Sequence, residues 1–433
     1  MTITSSMNAG VAGLNANAAR LAGISDNIAN AGTYGYKRAE TDFFQMVNAG
    51  NTDATYSAGG VRTSSTRIVD ERGALIGTSN ATDIAINGRG FLPVSDDGRS
   101  VVLTTTGSFR PDATGTLKSQ SGLTLMGWPA GPDGTIPAVA RESMAALQPV
   151  QVNLNQFVSN PTTRMTMSVN LPATATLPGA EGETFAQTIE YFDAMGTSRA
   201  LTAEFTPIEA AGDRASNAWV MRLTDDSGNT TLGAYRLEFD GSQTAGGTLK
   251  SVTRVAGVGD PALAGAYSAE DGTIALRLGD NPVSFRIGKP GQSDGMTQLS
   301  DRYTPSTIEK NGSAIGSLQS VEIDENGLLR AKYDQGFSRV IFQVPVVDVP
   351  NPNGLQSRDN QTFGLTAASG AFYLWDAGSG PTGTTQGYMR EESTTDIAQE
   401  LTHLISTQHA YSSNAKIIQT VDQMLQETTN LKR

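Results

Sequence analysis

The side chains that carry most protein chemistry are nearly missing from this chain. It has no cysteine, and its only histidines are His403 and His409. Without cysteine there is no thiolate nucleophile, thiolate zinc site or disulfide. The histidines stand six residues apart in a helical stretch, about 240° around its axis, so one metal ion cannot take both. Imidazole acid–base chemistry has almost nowhere to sit. Gly88-Arg-Gly90 starts like a dinucleotide loop but lacks the third glycine and the helix that must follow. Asp225-Asp-Ser-Gly-Asn229 and Asp324-Glu-Asn-Gly327 fall short of a twelve-residue calcium loop and read as hairpin turns. Glu391-Glu392 precedes a helix, where the dipole favours carboxylates. The sequence predicts no enzyme, no cofactor and no metal. A net charge of −12 without a basic run argues against a nucleic-acid surface.

The residues that remain are of the kind that join helices. Between Thr394 and Leu431, apolar side chains fall at Ile397, Leu401, Leu404, Tyr411, Ala415, Ile418 and Leu425. Their steps alternate between three and four, with Gln408 and Asp422 in two stripe positions, which is a heptad stripe on a long helix. A second stripe runs beside it through Ile417, Val421, Met424 and Leu431. Ser393 and Asp396 have the spacing of a capping box. The helix should be roughly 50 Å long, with more apolar surface than one partner covers. Near the other end, residues 6–29 repeat the pattern with Met7, Val11, Leu14, Ala18, Leu21 and Ile28, Ser25 filling the gap. Ser5 or Ser6 can cap this helix and Gly32 can stop it. Its only charges are Arg20 and Asp26, so it is poorly suited to standing alone in water, and the two terminal helices are expected to pair.

Between the helices the signal is β. Gly32 to Lys37 is an aromatic turn, Phe43, Phe44 and Met46 form a small apolar cluster, and Asn51 to Ser65 reads as extended or loop. From about residue 75, short β-prone runs are separated by turns such as Asp112-Ala-Thr-Gly115, Asp193-Ala-Met-Gly196 and Asp324-Glu-Asn-Gly327. Asp96-Asp-Gly98 and Asp133-Gly belong to the same set. Asp supplies local hydrogen bonds and Gly the positive φ, as in antiparallel hairpins. Alternation in Thr273–Leu278 and Trp219–Leu223 marks half-buried strands. Breaks near 145–165 and 288–305 place one β domain inside another.

The expected fold is multidomain α+β, with N- and C-terminal helices pairing as a coiled coil around nested, mainly antiparallel β domains. The expected division is 1–31 with 393–433 as the helical part, 32–74 with 360–392 as an extended connecting region, 75–149 with 302–359 as a first β domain, and 150–301 as an inserted outer one. No apolar run approaches the ~20 residues needed to span a membrane, so membrane insertion is not expected. The first residues show no basic and apolar leader pattern, so no cleavable secretory signal is expected.

Asp26-Asn-Ile-Ala-Asn-Ala-Gly-Thr-Tyr-Gly-Tyr-Lys37 resembles the N-terminal signature of the bacterial flagellar rod and hook axial proteins. Ile86–Val94 and Thr106–Leu117 resemble that family's first β domain, and Glu190–Thr197 an outer-domain motif. Val349–Leu355, Asp396–Ile405 and Asp422–Leu425 complete a likeness that spans nearly the whole chain. Tyr34, where the family often has Asn or Thr, and His409, where it often has Arg, depart from the pattern without touching the heptad positions. The resemblance singles out Asn27, Asn30, Gly35, Tyr36 and Lys37 as motif residues. It implies export through the flagellar type III apparatus to the cell exterior. It also implies assembly with copies of itself into a curved hollow tube that transmits torque from rod to filament. Rod, hook-cap and hook–filament junction proteins are the further partners implied. The inserted region favours the hook branch. A distal rod subunit is the alternative within the family, and a secreted carbohydrate-binding or adhesive β protein, marked by a surface Trp/Tyr cluster, the alternative outside it.

Overall fold

The computed structural model describes residues 3–46, 58–96, 100–131, 134–153, 157–210 and 212–430. The turns expected at 96–98 and at 133 lie largely outside them, as does Leu431. The chain divides into two compact units. The first comprises Met1–Leu154, Ser320–Ala331 and Ser338–Arg433, the second Asn155–Gln319 and Lys332–Phe337.

In the first unit, the N-terminal helix α1 spans Ile3–Ala29 and the C-terminal helix α2 spans Ile397–Asn430. They pack together antiparallel: Asn27 meets Glu400 near one end, and Gly10 lies against Ile418 toward the other. Helix α1 starts upstream of Ser5 and Ser6, so these are interior positions rather than caps. Helix α2 starts at a simple cap: Asp396 Oδ1 accepts the backbone N–H groups of Ala398 (2.8 Å) and Gln399 (3.1 Å). Ser393 Oγ accepts only Thr395 N–H in a preceding turn, so one residue, not a reciprocal pair, satisfies the free donors of the first turn. Strands Ala39–Gln45 and Val61–Arg67 form an antiparallel hairpin in register Ala39↔Arg67. It packs along α1, with Arg20 over the Phe43 ring at 5.6 Å.

The same unit holds an antiparallel sheet built from both ends of the chain. Its order runs Gln356–Arg358, Thr362–Gly364, Ser100–Thr104, Leu92–Asp96, Thr124–Pro129, Leu117–Ser119, Thr106–Pro111, Asp83–Asn87 and Thr384–Gly387. Phe91, Leu103, Trp128, Val347, Phe363 and Leu374 close its core. Each fully buried large side chain contributes about 1.5–3 kcal/mol by leaving water.

The second unit is two sheets around one core. Phe185–Phe192, Ser198–Pro207, Ala218–Asp225, Thr230–Phe239 and Leu249–Arg254 form an antiparallel meander. The other sheet orders Ala264–Ser268, Thr273–Leu278, Asn281–Arg286 and Arg164–Leu171. Strand 164–171 runs parallel to 281–286 and antiparallel to Thr304–Lys310. Period-two side chains (Met165, Met167, Val169 and Leu171; Trp219, Met221 and Leu223) point into the shared core.

One turn device recurs in both units. Asp112, Asp193 and Asp324 each use Oδ1 to accept two backbone N–H groups at 2.8–3.0 Å, and each is followed three residues later by a glycine at φ near +80°. Six residues on stands a cation for the other carboxylate oxygen: Lys118 at 2.8 Å, Arg199 at 2.8 Å and Arg330 at 3.1 Å. These carboxylates are occupied by the turn itself, which accounts for the calcium-like spacing of Asp324–Gly327 without an ion.

Candidate assembly interface

The positions buried on α1 and α2 are mostly small or polar, with Ile24 and Val421 as the large apolar exceptions. On α1 the buried positions are Ser5, Gly10, Gly13, Ala16, Asn17, Ile24 and Asn27; on α2 they are Glu400, Thr407 and Val421. On each helix these positions keep to one face; on α1 that face lies beside the apolar stripe read from the sequence, and on α2 it borders it at Ile418. A Cβ on Gly13 would stand 2.9 Å from Asn414 Oδ1, and one on Gly10 3.2 Å from Ile418 Cγ1. Glycines at the crossing let the two backbones approach, and that close approach selects the seam over the bulkier side.

The predicted apolar residues therefore fall outside the seam or at its border. Met7, Leu14, Leu21, Ile28, Leu404 and Ile418 are half-buried. Val11, Ile397, Leu401, Tyr411 and Leu425 are exposed, as are Ile405, Ile417 and Met424 from the neighbouring positions. Ile405 is 55% and Ile397 51% exposed. Scattered exposed leucines are ordinary, but Ile397, Leu401, Ile405 and Tyr411 keep to one side of α2 and together give exposed apolar surface of the kind that marks a protein–protein contact.

The family-motif residues gather where α1 ends and α2 begins. Asn27 is buried and fully satisfied. Its amide N–H groups donate to Ala39 O (2.9 Å) and Glu400 Oε1 (3.0 Å), and its Oδ1 accepts Ala39 N–H (2.7 Å) and Tyr36 O–H (3.1 Å). Asn30 bonds back to Asp26. Gly35 takes φ +70°, donates to Glu391 O at 2.8 Å, and leaves no room for a Cβ, which would sit 2.8 Å from Thr106. The Tyr36 ring lies under the Arg67 guanidinium at 4.7 Å, and burial, the largest influence, raises its phenol pKa.

Lys37 Nζ meets Glu391 Oε1 at 2.7 Å, both side chains almost wholly buried at 1% and 2% exposure. Burial holds the Lys37 amine below its ordinary range, with Glu391 opposing that shift. Gly73 N–H and the Glu71 carbonyl complete the pair. A short β ladder, Leu75–Gly77 against Met389–Glu391, ties the same place to the sheet. Pattern reading missed Glu400 and Arg67, gave Asp26 no partner, and read Glu391 as a carboxylate on the helix dipole, whereas it is the buried partner of Lys37 and α2 starts six residues later. The one available signal was Glu400, a carboxylate in step with the inward positions of α2.

Other candidates dissolve in the geometry. Gly291-Gln-Ser-Asp-Gly295 has the spacing of a nucleophile elbow, but it is an exposed turn with no helix behind it, and Asp294 is paired with Arg286 at 2.6 Å. Trp128 and Trp219 are fully buried in separate cores, and the third tryptophan, Trp375, is half-buried against Tyr373 at 4.8 Å between ring centroids. Among the described residues, no group of three or more His, Asp or Glu side chains could hold a metal ion. Among the described residues, no helix is long and apolar enough to cross a membrane.

Known proteins match along this framework. Residues 7–37 match the flagella basal body rod protein family, residues 166–313 the flagellar basal body protein FlaE D2 domain, and residues 385–431 the C-terminal part of the flagellar basal body rod FlgEFG proteins. The flagellar hook protein FlgE of Brucella suis is 33% identical over 433 residues, covering 100% of both chains. That of Rhizobium meliloti is 30% identical over 436 residues, again covering 100% of both. The crystal structure of the Helicobacter pylori hook protein FlgE2 aligns with a TM-score of 0.47 at 14% identity, over 72% of this chain and 99% of that one. With full-length identity of this order, the chain belongs to the flagellar hook protein FlgE family.

Proposed function

We propose that the chain is a structural, non-catalytic subunit of the bacterial flagellar hook. It polymerises with copies of itself into a curved hollow tube that passes torque from rod to filament. One observation supports this reading beyond family membership: the helix pair buries mostly small and polar groups and leaves Val11, Ile397, Leu401, Ile405 and Tyr411 exposed. A surface of that kind is covered when copies pack side by side. Full-length likeness to hook proteins favours the hook over the distal rod.

In this reading the terminal helices give axial cohesion and line the channel, the connecting and first β regions form the wall, and the inserted region, 150–301, sets curvature through polar contacts that slide at low cost. The protein leaves the cell through the flagellar type III apparatus and meets rod, hook-cap and hook–filament junction proteins at the ends of the tube. Long helices with little apolar burial of their own are marginal until packed, which suits passage through a narrow channel.

The experiment is a charge on the exposed stripe, Leu401→Asp or Ile405→Asp, in the full chain. Electron microscopy should find no tubes, while circular dichroism shows both β units folded. Tubes like those of the wild type would overturn the reading.

A further inference from the structure

The hairpin on α1 has two open edges. Among the described residues, strands Ala39–Gln45 and Val61–Arg67 pair only with each other, without a bulge. At one end of the pair Met46 N–H donates to Gly60 O, and at the other Ile68 N–H donates to Arg38 O, both at 3.0 Å. In an antiparallel ladder these bonds set the alternation: even-numbered residues bond across the hairpin, and odd-numbered ones turn N–H and C=O outward. Ala39 agrees, because Asn27 answers both of its outward groups. Asn27 Oδ1 accepts the Ala39 N–H at 2.7 Å, and its Nδ2 donates to Ala39 O at 2.9 Å. Asn27 thus stands in for a neighbouring strand at one residue. Past it, Thr41 and Phe43 on one edge, and Val61 and Thr63 on the other, aim backbone groups away from the hairpin with no partner among the described residues.

No proline, glycine, lysine or bulge interrupts either strand, so both can template a further one. Their charges differ in sign. The first strand carries Glu40 and Asp42, the second Arg62 and Arg67. Glu40 is held by Arg38 at 3.2 Å and Arg67 by Asp26 at 3.1 Å. Asp42 and Arg62 have no ion pair among the described residues; Arg62 lies over the Phe44 ring at 5.8 Å. Two first-strand edges brought together would set carboxylate against carboxylate, and two second-strand edges guanidinium against guanidinium, both unfavourable across a ladder. Only unlike edges match.

We propose that the 39–45 edge of one copy pairs antiparallel with the 61–67 edge of a second copy. The register that sets Asp42 opposite the second copy's Arg62 also sets Phe43 opposite its Val61, an aromatic–β-branched pair, and Glu40 opposite its Ser64. Phe43, 40% exposed in the single chain, gains a cover. Thr41 and Phe43 then exchange backbone bonds with Thr63 and Val61. Each hairpin offers both edges, so the contact is head-to-tail and passes from copy to copy, as a filament requires. It rests on the self-assembly proposed above and adds a backbone-bonded junction to the apolar one.

The chain has no cysteine, so introduced ones report without background. In the proposed register, positions 40 and 64 of neighbouring copies form a pair whose Cα atoms stand about 4.5 Å apart, within disulfide reach. Tubes are assembled from a mixture of Glu40→Cys chains and Ser64→Cys chains, oxidised, and run on a non-reducing gel. The mixture should give disulfide-linked dimers, and each variant assembled alone should stay monomeric. No dimer from the mixture, or dimers from one variant alone, overturns the proposal. In a second arm, Asp42→Arg should raise the protein concentration needed for tubes about fivefold, the loss expected of turning an attractive cross-strand pair into a repulsive one. Adding Arg62→Asp should restore most of it. Unchanged assembly, or no restoration, overturns the edge pairing and leaves the helix reading standing. Tubes from the Leu401→Asp chain would overturn that reading while leaving the cross-link result intact.

Discussion

Asn27 and Glu400 lie 373 residues apart in the chain and 3.0 Å apart across the helix seam. The amide also holds both backbone groups of Ala39, so one side chain fixes α2, the exit from α1 and the start of the hairpin. Asn27→Leu would leave the buried Glu400 carboxylate and Ala39 N–H unanswered, at about 1–3 kcal/mol for each orphaned group. Urea unfolding followed by a probe in the first unit should show the loss. Asn27→Asp, which sets a like charge against Glu400, should lose at least as much.

Lys37 and Glu391 are a buried pair whose members depend on each other. Lys37→Met should cost about 3–5 kcal/mol, because it leaves a buried carboxylate unpaired, and Lys37→Met with Glu391→Leu should recover much of that. Denaturation midpoints of the single and double variants decide it. The pH dependence has a definite sign. The folded amine has a lowered pKa, so between that value and the unfolded one the unfolded chain binds more protons. This residue's contribution to stability therefore rises as pH climbs through that window.

Tyr191 should report on the second unit from the alkaline side. Burial, with Asp225 at 3.0 Å, pushes its phenol up to about 12. Tyr235, Tyr267 and Tyr303 in the same unit are raised as well, by burial. Above the unfolded value near 10 the unfolded chain releases protons that the folded one keeps, so stability falls with rising pH. A spectrophotometric titration should show late-titrating tyrosines that return to ordinary behaviour in urea. A single transition near 10 in the native protein would contradict this.

Gly13 sets the spacing of the helix pair. Gly13→Ala asks the Asn414 side chain to move, since a Cβ would stand 2.9 Å from it, while the helix gains about 1 kcal/mol of propensity. The net change should be small. Gly13→Leu has no room and should separate the helices, read as weaker protection of α2 amides in hydrogen exchange and as poorer tube assembly.

The inserted unit offers a different outcome. Removing residues 155–319 should leave chains that still assemble, into straight or altered tubes, because the apolar stripes belong to the other unit. Electron microscopy of the tubes checks this, and complete loss of assembly would count against the division between cohesion and curvature.

Periodicity alone was enough for the helices, for the paired arrangement and for the nested β order. Heptad spacing, Asp-x-x-Gly turns and strand alternation are local signals that survive in one dimension. Ile397, Leu401, Tyr411 and Leu425 are also legible in the sequence as one stripe, and all four are exposed. Which face of each helix meets the other was decided only in three dimensions. An apolar stripe says that something covers it, not what. Glycines at 10 and 13 let the backbones approach, with Ile418 and Asn414 against them, while Val11, Ile397, Leu401 and Tyr411 stay exposed. The junction was equally hidden, because Asn27–Glu400 and Lys37–Glu391 join residues from opposite ends of the chain, and no local pattern records a pairing across more than three hundred and fifty residues.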